Sequence, residues 1–326
     1  MPPTAQMIGT LGLAVALDLL LADPPNRFHP VAWMGHLIAA FDRIAPRSSR
    51  AGVFLLGGVL GLGGAAFAYG VGWLIERVFE GFHPAIALVL RAAILKTTLS
   101  IRGLAGAAGQ VGAALRSDDL TSARRLLSWH LVSRDTSGLT ASQVSAAAVE
   151  SVAENTCDSV VAPILYYAVA GLPGALAYRF LNTADAMVGY RGPRHEWIGK
   201  VPARLDDLAN LLPSRLSAIL IILASPFAGT SLPRAWRIWR RDARRTASPN
   251  AGHPMSAASG ALGIELEKVG AYRIGAGLAT ADASDIDRAI KLFRVTVALA
   301  LVAVFLGSQP WRAASNGGPA IGSGAR

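Results

Sequence analysis

Residues 51–75 form the longest uncharged run of the chain, 25 positions. As a helix, that is enough to cross a hydrocarbon core about 30 Å thick. Glycine recurs along it at Gly57, Gly61, Gly64 and Gly72. In water such a composition weakens a helix. In a bilayer small residues let helices approach closely, and the Gly57-x-x-x-Gly61 spacing fits that use. A phosphate-cradling glycine loop is the competing reading, but no Lys-Ser/Thr pair follows.

Five more segments are apolar enough to be read as helical crossings: 6–21, 85–101, 160–181, 208–227 and 289–307. Segment 6–21 lacks a basic leader and a small-residue cleavage site, so a retained helix is expected rather than a signal peptide. Its one charge, Asp18, is either an interfacial residue or a carboxylate facing a site. Segment 85–101 contains Arg91 and Lys96, and 289–307 opens with Lys291 and Arg294, which can snorkel to the interface. Gly171-Leu-Pro173-Gly174 should break segment 160–181, and a re-entrant course is expected there. Residues 102–127 and 140–158 read as loop helices, the first punctuated by Ser117-Asp118-Asp119. From Ser308 the chain is rich in Gly, Ser, Ala and Pro, so 308–326 is expected to be a disordered tail. The expected architecture is all-α: a polytopic integral membrane protein with about 4–6 hydrophobic helical segments. Residues 1–307 make one helical membrane domain, and helical cytoplasmic loops form a polar site.

Composition agrees with this picture. Hydrophobic residues make up 52% and charged ones 16%, against roughly 25% charged in an ordinary soluble domain. Disordered, coiled-coil and collagen-like chains are excluded. The net charge is +10, which in a soluble protein would raise the question of nucleic acid. Here membrane orientation explains it, and no nucleic-acid partner is expected. Loops 23–50, 102–158 and 229–288 carry 4, 5 and 9 lysines and arginines, against 7 on the opposite side. That excess makes the first side cytoplasmic. Loop 182–207 then falls outside, unless the re-entrant course of 160–181 returns it to the cytoplasmic side. Irregular backbone is tolerated at membrane depth where it lines a cavity. Cys157 is the single cysteine, so no intrachain disulfide exists.

The chemistry concentrates in four places. In Glu150-Ser-Val-Ala-Glu154-Asn155-Thr156-Cys157-Asp158, acids four apart differ by about 40° around a helix. Glu150, Glu154 and Asp158 therefore share a stripe, where like charges repel. A Mg²⁺ with its water shell would offset that repulsion. The alternative is a solvated helix face, which the apolar neighbours on both sides disfavour. Ser133-Arg134-Asp135-Thr136 offers a guanidinium fork for phosphate or carboxylate, or a helix cap. Asn182, Asp185, Asp206, Asp207 and Asn210 flank apolar segments near Arg204 and Arg215. They could complete a metal–phosphate site, or serve as caps and interface residues. Ser248-Pro249-Asn250-Ala251-Gly252 reads as a tight turn whose N–H groups can hold an anion. Just before it, six arginines from Arg234 to Arg245 recur with Trp236 and Trp239, an amphipathic segment for anionic lipid. His29, in His29-Pro30-Val31, is a ligand, an acid/base or a packing residue. Walker A, Rossmann, His-Glu-x-x-His and Gly-x-Ser-x-Gly signatures are absent, which argues against a P-loop pump or a zincin.

In order along the chain, these motifs resemble one family: adenosylcobinamide-phosphate synthase, the CobD/CbiB membrane proteins of cobalamin biosynthesis. The resemblance starts at Asp18, Asp23-Pro24 and His29-Pro30-Val31. It continues through Arg134-Asp135-Thr136, Glu150 to Thr156 and Asp158. It then takes in Asn182-Thr183-x-Asp185, Met187 to Tyr190, Ala203 to Asp207, Asn210, Pro213, Arg215 and Ser248 to Gly252. The chain departs from the family in having Ala22, Ser133 and Ser159 where glycine is common, and Ala186 where serine is. Glu265-Leu-Glu267-Lys268-Val-Gly270 replaces a usually Gly-rich segment. The acidic and arginine positions are intact.

The resemblance implies a ligase of the bacterial inner membrane, with its active site facing the cytoplasm. ATP is the cosubstrate and Mg²⁺ the metal. A carboxylate of adenosylcobyric acid is joined by an amide bond to aminopropanol phosphate or a related amino alcohol. Mg²⁺ is expected on Glu150, Glu154 and Asp158, with Asp185 or Asp207. Arg134, Arg204 and Arg215 are expected on phosphate, with Asn155, Asn182, Asn210, Ser248 and Asn250 completing the substrate site. Asp206 or His29 takes the ammonium proton. The expected partners are a corrinoid, an amino-alcohol phosphate, the lipid bilayer and other cobalamin-pathway enzymes. A corrinoid transporter and a membrane scaffold are the alternatives.

Overall fold

The computed structural model describes residues 4–45, 49–190, 192 and 194–308. All of the tail expected to be disordered except Ser308 lies outside the described residues. Helix dominates, and five helical runs are long and apolar enough to cross a membrane, so the chain is an all-α polytopic membrane protein.

Helix α1 (Thr4–Leu20) ends before Pro24-Pro25, and α2 (Pro30–Ile44) starts with proline in its first turn. The glycine-rich run forms α3 (Arg50–Gly58) and α4 (Gly64–Phe79), joined through a wider π turn into one helical run of 30 residues. Its glycines are contact points. A Cβ on Gly61 would stand 3.4 Å from the backbone nitrogen of Pro202, and one on Gly57 would meet the backbone of Ile198. The Gly57-x-x-x-Gly61 face therefore receives the chain that leads into α10 (Lys200–Ala209).

The segment expected to cross at 85–101 belongs to a longer apolar run, Pro84–Arg116, interrupted by a short turn near the segment's end. Helix α5 (Pro84–Lys96) stops, Thr97 and Thr98 turn their hydroxyls back onto carbonyls, and α6 (Ile101–Arg116) begins. Asp18 explains the restart. Its carboxylate accepts from the N–H groups of Ile101 and Arg102 at 3.0 and 2.9 Å, capping α6 from a distant helix. Arg91 is bound to Glu76 at 2.6 Å and Lys96 to Asp23 at 2.7 Å, which accounts for two charges among apolar neighbours.

Helix α7 (Leu120–His130) leads to α8 (Ala141–Thr156), which a Thr140/Gln143 capping box opens. The sequence pattern suggested a loop helix followed by a separate span. Instead α8 continues through a π turn at Cys157–Val161 into α9 (Ala162–Val188), because nothing between them breaks a helix. At 48 residues, a straight rod would be about 72 Å long. It is not straight. Gly171 takes φ 67° and ψ −158°, a conformation open only to glycine, and Pro173 follows in the position that suits a new first turn. The rings of Tyr166 and Tyr178 stack with centroids 5.0 Å apart, so the second arm folds back along the first. Gly72 of α4 faces the bend, where a Cβ would stand 2.7 Å from Pro173 Cα.

Of the remaining helices, α13 (Gly252–Leu262) and α14 (Ala283–Gly307) pack on α8, α11 (Leu211–Ala228) packs on α13 and α14, and α12 (Leu232–Asp242) packs on α13. A small three-stranded sheet lies between α13 and α14: β1 (Ile264–Lys268), β2 (Tyr272–Ile274) and β3 (Ala279–Thr280), in the order β2-β1-β3. It adds to the all-α expectation. Ile264 and Leu266 alternate inward with Glu265 and Glu267, a period-two pattern too short to stand out in sequence.

Candidate active site

The hairpin sets the geometry. Its first arm carries Glu150, Glu154 and Asp158, and its second arm returns Asn182 and Asp185 to the same place. Two adjoining cavities result, of about 580 and 600 Å³. Glu154, Asp158, Asp185, Gly189 and Tyr190 line both, so a ridge of three carboxylates separates them. Asp206 and Asp207 of α10 border only the first, with Arg204, Asn210, Ser248 and Asn250. Glu150, Arg134, Asn155 and Asn182 border only the second.

Asp206 is buried. Asn210 donates to its Oδ2 at 3.1 Å, while Oδ1 has no hydrogen-bond partner. Burial first, and the facing Asp185 second, push its carboxyl up to about 7. Asp207 is also raised by burial, with Arg204 at 3.5 Å opposing the shift. Glu150 is likewise buried: its Oε2 makes no hydrogen bond, Arg134 stands 3.8 Å from the other oxygen, and the Tyr272 hydroxyl interacts with the carboxylate. Anionic oxygens without donors are costly unless a cation or proton joins them. Among the described residues, no three His, Cys, Asp or Glu side chains converge on one point. The three-carboxylate set expected on Glu150, Glu154 and Asp158 is thus not assembled among these residues, and a Mg²⁺ here would take one or two carboxylates with waters and phosphate oxygens.

Several expected site residues are engaged in holding the fold. Arg215 donates to Asn250 Oδ1 at 3.0 Å and to Leu211 O at 2.7 Å, bracing the turn before α13 against α11. Asn250 Nδ2 donates to Asp207 O at 2.7 Å, and Ser248 Oγ accepts from the N–H groups of Asn250 and Ala251. These three residues fix the wall that carries Asp207. Asn155 bonds Ser151 and Ser159 on its own helix. His29 lines neither cavity; its Nδ1 caps α2 through Val31 N–H, and burial lowers its imidazole. The arginine segment is partly consumed too. Arg234 binds Gly260 O and Ala261 O, and Arg241 and Arg245 clasp buried Asp242.

Cations near the site also escaped the sequence reading: Lys200 of α10 borders the 580 Å³ cavity, and Arg179, on the second arm, lines neither cavity but donates to Asn182 Oδ1 at 3.3 Å, its Nε without a partner. An arginine inside an apolar segment was the available signal. Lys268, at the end of β1, borders the 600 Å³ cavity. It carried no motif signal.

The CobD/Cbib protein family matches residues 11–293. Cobalamin biosynthesis protein CobD of Dehalococcoides mccartyi (strain CBDB1) is 43% identical over 263 residues, 81% of this chain and 85% of that protein. Probable cobalamin biosynthesis protein CobD of Methanothermobacter thermautotrophicus is 42% identical over 292 residues, 90% and 95% of the two chains. Cobalamin biosynthesis protein CbiB of Salmonella typhimurium (strain LT2) is 39% identical over 299 residues, 89% and 93%. No solved structure matches.

Proposed function

The chain belongs to the CobD/CbiB family, whose members are cobalamin biosynthesis proteins, and on that premise we propose that it is an ATP-dependent ligase. It joins a carboxylate of adenosylcobyric acid to the amine of aminopropanol phosphate, or of a related amino alcohol, by an amide bond. The observation that carries this reading is the ridge of Glu154, Asp158 and Asp185 shared by two cavities. A ligase must bring a phosphoryl donor and an acceptor to one acidic centre, and the ridge offers a place on each side of it.

A carboxylate oxygen of the corrinoid attacks the γ-phosphorus of ATP, and ADP leaves. The amine then attacks the acyl phosphate carbon, inorganic phosphate leaves, and the nitrogen gives up a proton. Such transfer depends on positioning and charge neutralisation. Mg²⁺, held by carboxylates from the set Glu150, Glu154, Asp158, Asp185 and Asp207, would neutralise phosphate charge. Arg134 and Arg204 face the cavities as anion partners. Asp206 accepts the amine proton through its unpartnered Oδ1, and a carboxyl that titrates near 7 suits that task at neutral pH. We place the protein in the bacterial inner membrane with the cavities facing the cytoplasm, where ATP is available, beside other enzymes of the pathway.

The test uses purified protein in detergent with adenosylcobyric acid, aminopropanol phosphate and Mg-ATP, and follows the corrinoid by mass spectrometry. Amide formation that Glu154→Gln abolishes supports the ligase. Folded protein that binds corrinoid but forms no amide overturns it and favours a transporter or a scaffold.

A further inference from the structure

Two cations of separate origin border the 600 Å³ cavity. Arg134 comes from the loop between α7 and α8, and Lys268 from the last position of β1. Both act on Glu150 and Glu154, but neither donates a hydrogen bond to a carboxylate. Arg134 lies 3.8 Å from Glu150, beyond hydrogen-bond distance, and its Nε is buried without a partner. Among the described residues Lys268 makes no ion pair, and its ammonium stands 6.0 Å from the ring centre of Tyr272, its partner across the strands. The Tyr272 hydroxyl interacts with Glu150, which ties the sheet to the cavity wall that Glu150 lines.

The neighbouring cavity differs. There Arg204 has Asp207 at 3.5 Å, Lys200 has Glu196 at 3.1 Å, and His195 has Asp42 at 3.4 Å. Of the described lysines and arginines that line the two cavities, Lys268 alone makes no ion pair. Cations whose N–H donors are not hydrogen-bonded to a carboxylate gain most from an anion that brings several acceptor oxygens. Guanidinium supplies a planar fork and ammonium a point charge, a pairing that fits the three oxygens of a phosphoryl group.

We infer that Lys268 and Arg134 form a phosphoryl-binding subsite in the 600 Å³ cavity, opposite the carboxylate ridge. The identity of the phosphate rests on the ligase reading; the anion site does not. The phosphoryl group belongs either to the polyphosphate of ATP or to the amino-alcohol phosphate. In the second case the substrate's ammonium faces Glu154, Asp158 and Asp185.

The test compares wild type, Lys268→Gln and Lys268→Arg, all full-length in detergent. The KM of ATP and of aminopropanol phosphate are each measured with the other substrates saturating. Lys268→Gln is expected to raise at least one of these KM values about tenfold or more, with a smaller change in kcat. Lys268→Arg should recover most of the loss. The substrate whose KM moves identifies the source, and unphosphorylated aminopropanol separates the two further. If the amine carries the phosphate, wild type and Lys268→Gln handle the unphosphorylated form alike. Both KM values within twofold of wild type overturn the subsite. If the wild type makes no amide, the ligase reading fails and binding of inorganic pyrophosphate decides the subsite instead. A pyrophosphate-dependent rise in melting temperature, lost in Lys268→Gln, supports it. A rise of equal size in both proteins, or none in the wild type, overturns it.

Discussion

The hydroxyl of Tyr178 stands 3.4 Å from the carbonyl oxygen of Asp158, although twenty residues of one helical run separate them. In a straight helix that separation would be about 30 Å. The same hydroxyl donates to Asn210 Oδ1 at 3.0 Å, and Asn210 in turn donates to Asp206. The fold-back at Gly171 is thus tied to both the acidic arm and α10. Whatever loosens the hairpin should loosen the site.

The seat of the bend is a direct test. A methyl group on Gly72 would stand 2.7 Å from Pro173 Cα and 2.9 Å from its nitrogen, with backbone that cannot yield cheaply. Gly72→Ala should cost about 1–3 kcal/mol and lower the melting temperature in detergent by several degrees. Gly70, two positions earlier, has nothing within 4 Å of its missing Cβ. Gly70→Ala should leave the melting temperature unchanged or raise it slightly. Equal behaviour of the two variants would show that the close approach carries no weight.

The acidic ridge makes a second prediction, separable from folding. Glu150→Gln and Glu154→Gln remove charge from a like-charged set, so neither should destabilise the membrane-inserted protein. Both should reduce amide formation by about a hundredfold or more. Full activity in both variants would remove the proposed metal–phosphate centre.

Much of this was legible in the sequence, and the reasons for the rest are physical. The acidic stripe, the glycine face and the break near Gly171-Leu-Pro173-Gly174 follow from local rules of spacing and backbone geometry. The re-entrant course expected at 160–181 rested on the break and on the loop charges; what residues 171–174 do not reveal is the contact that holds the return, the stack of Tyr178 on Tyr166. Asp18 is a similar case. Its carboxylate meets the N–H groups of Ile101 and Arg102, more than eighty residues away. Arg215 and Asn250 look like substrate ligands in isolation, and their mutual contact, which braces the cavity wall, could not be read from the sequence. Lys268 sits on a strand of five residues whose alternation is too brief to register.

His253 predicts how stability should respond to acid. Trp239 Nε1 donates to its Nδ1 at 3.0 Å, which holds the imidazole neutral. Burial first, then Arg215 and Arg244, bring its titration down from 6.5 to about 4. The unfolded chain therefore takes up this proton more readily than the folded one. Its contribution to stability is complete above about pH 6.5 and declines as pH falls toward 4. Thermal unfolding between pH 7.5 and 4.5 should show a steeper acid decline in wild type than in His253→Gln. Parallel curves would mean that the imidazole protonates without consequence.

Asp206 gives the sharpest expectation for catalysis. As the proton acceptor it works only when ionised, and its carboxyl titrates near 7 because it is buried and faces Asp185. The kcat/KM for amide formation should rise with pH through about 7 and level off above it. One unit below the midpoint, about a tenth of the plateau should remain. Asp206→Asn should lose both the rate and the rising limb, while Asp206→Glu should keep a limb at reduced rate. Asp185→Asn removes the charge that raises Asp206, so the limb in its residual activity should shift toward lower pH. A limb that stays in place in Asp206→Asn would assign the titration to another group, the substrate amine included. One that moves to higher pH in Asp185→Asn would contradict the electrostatic origin of the shift.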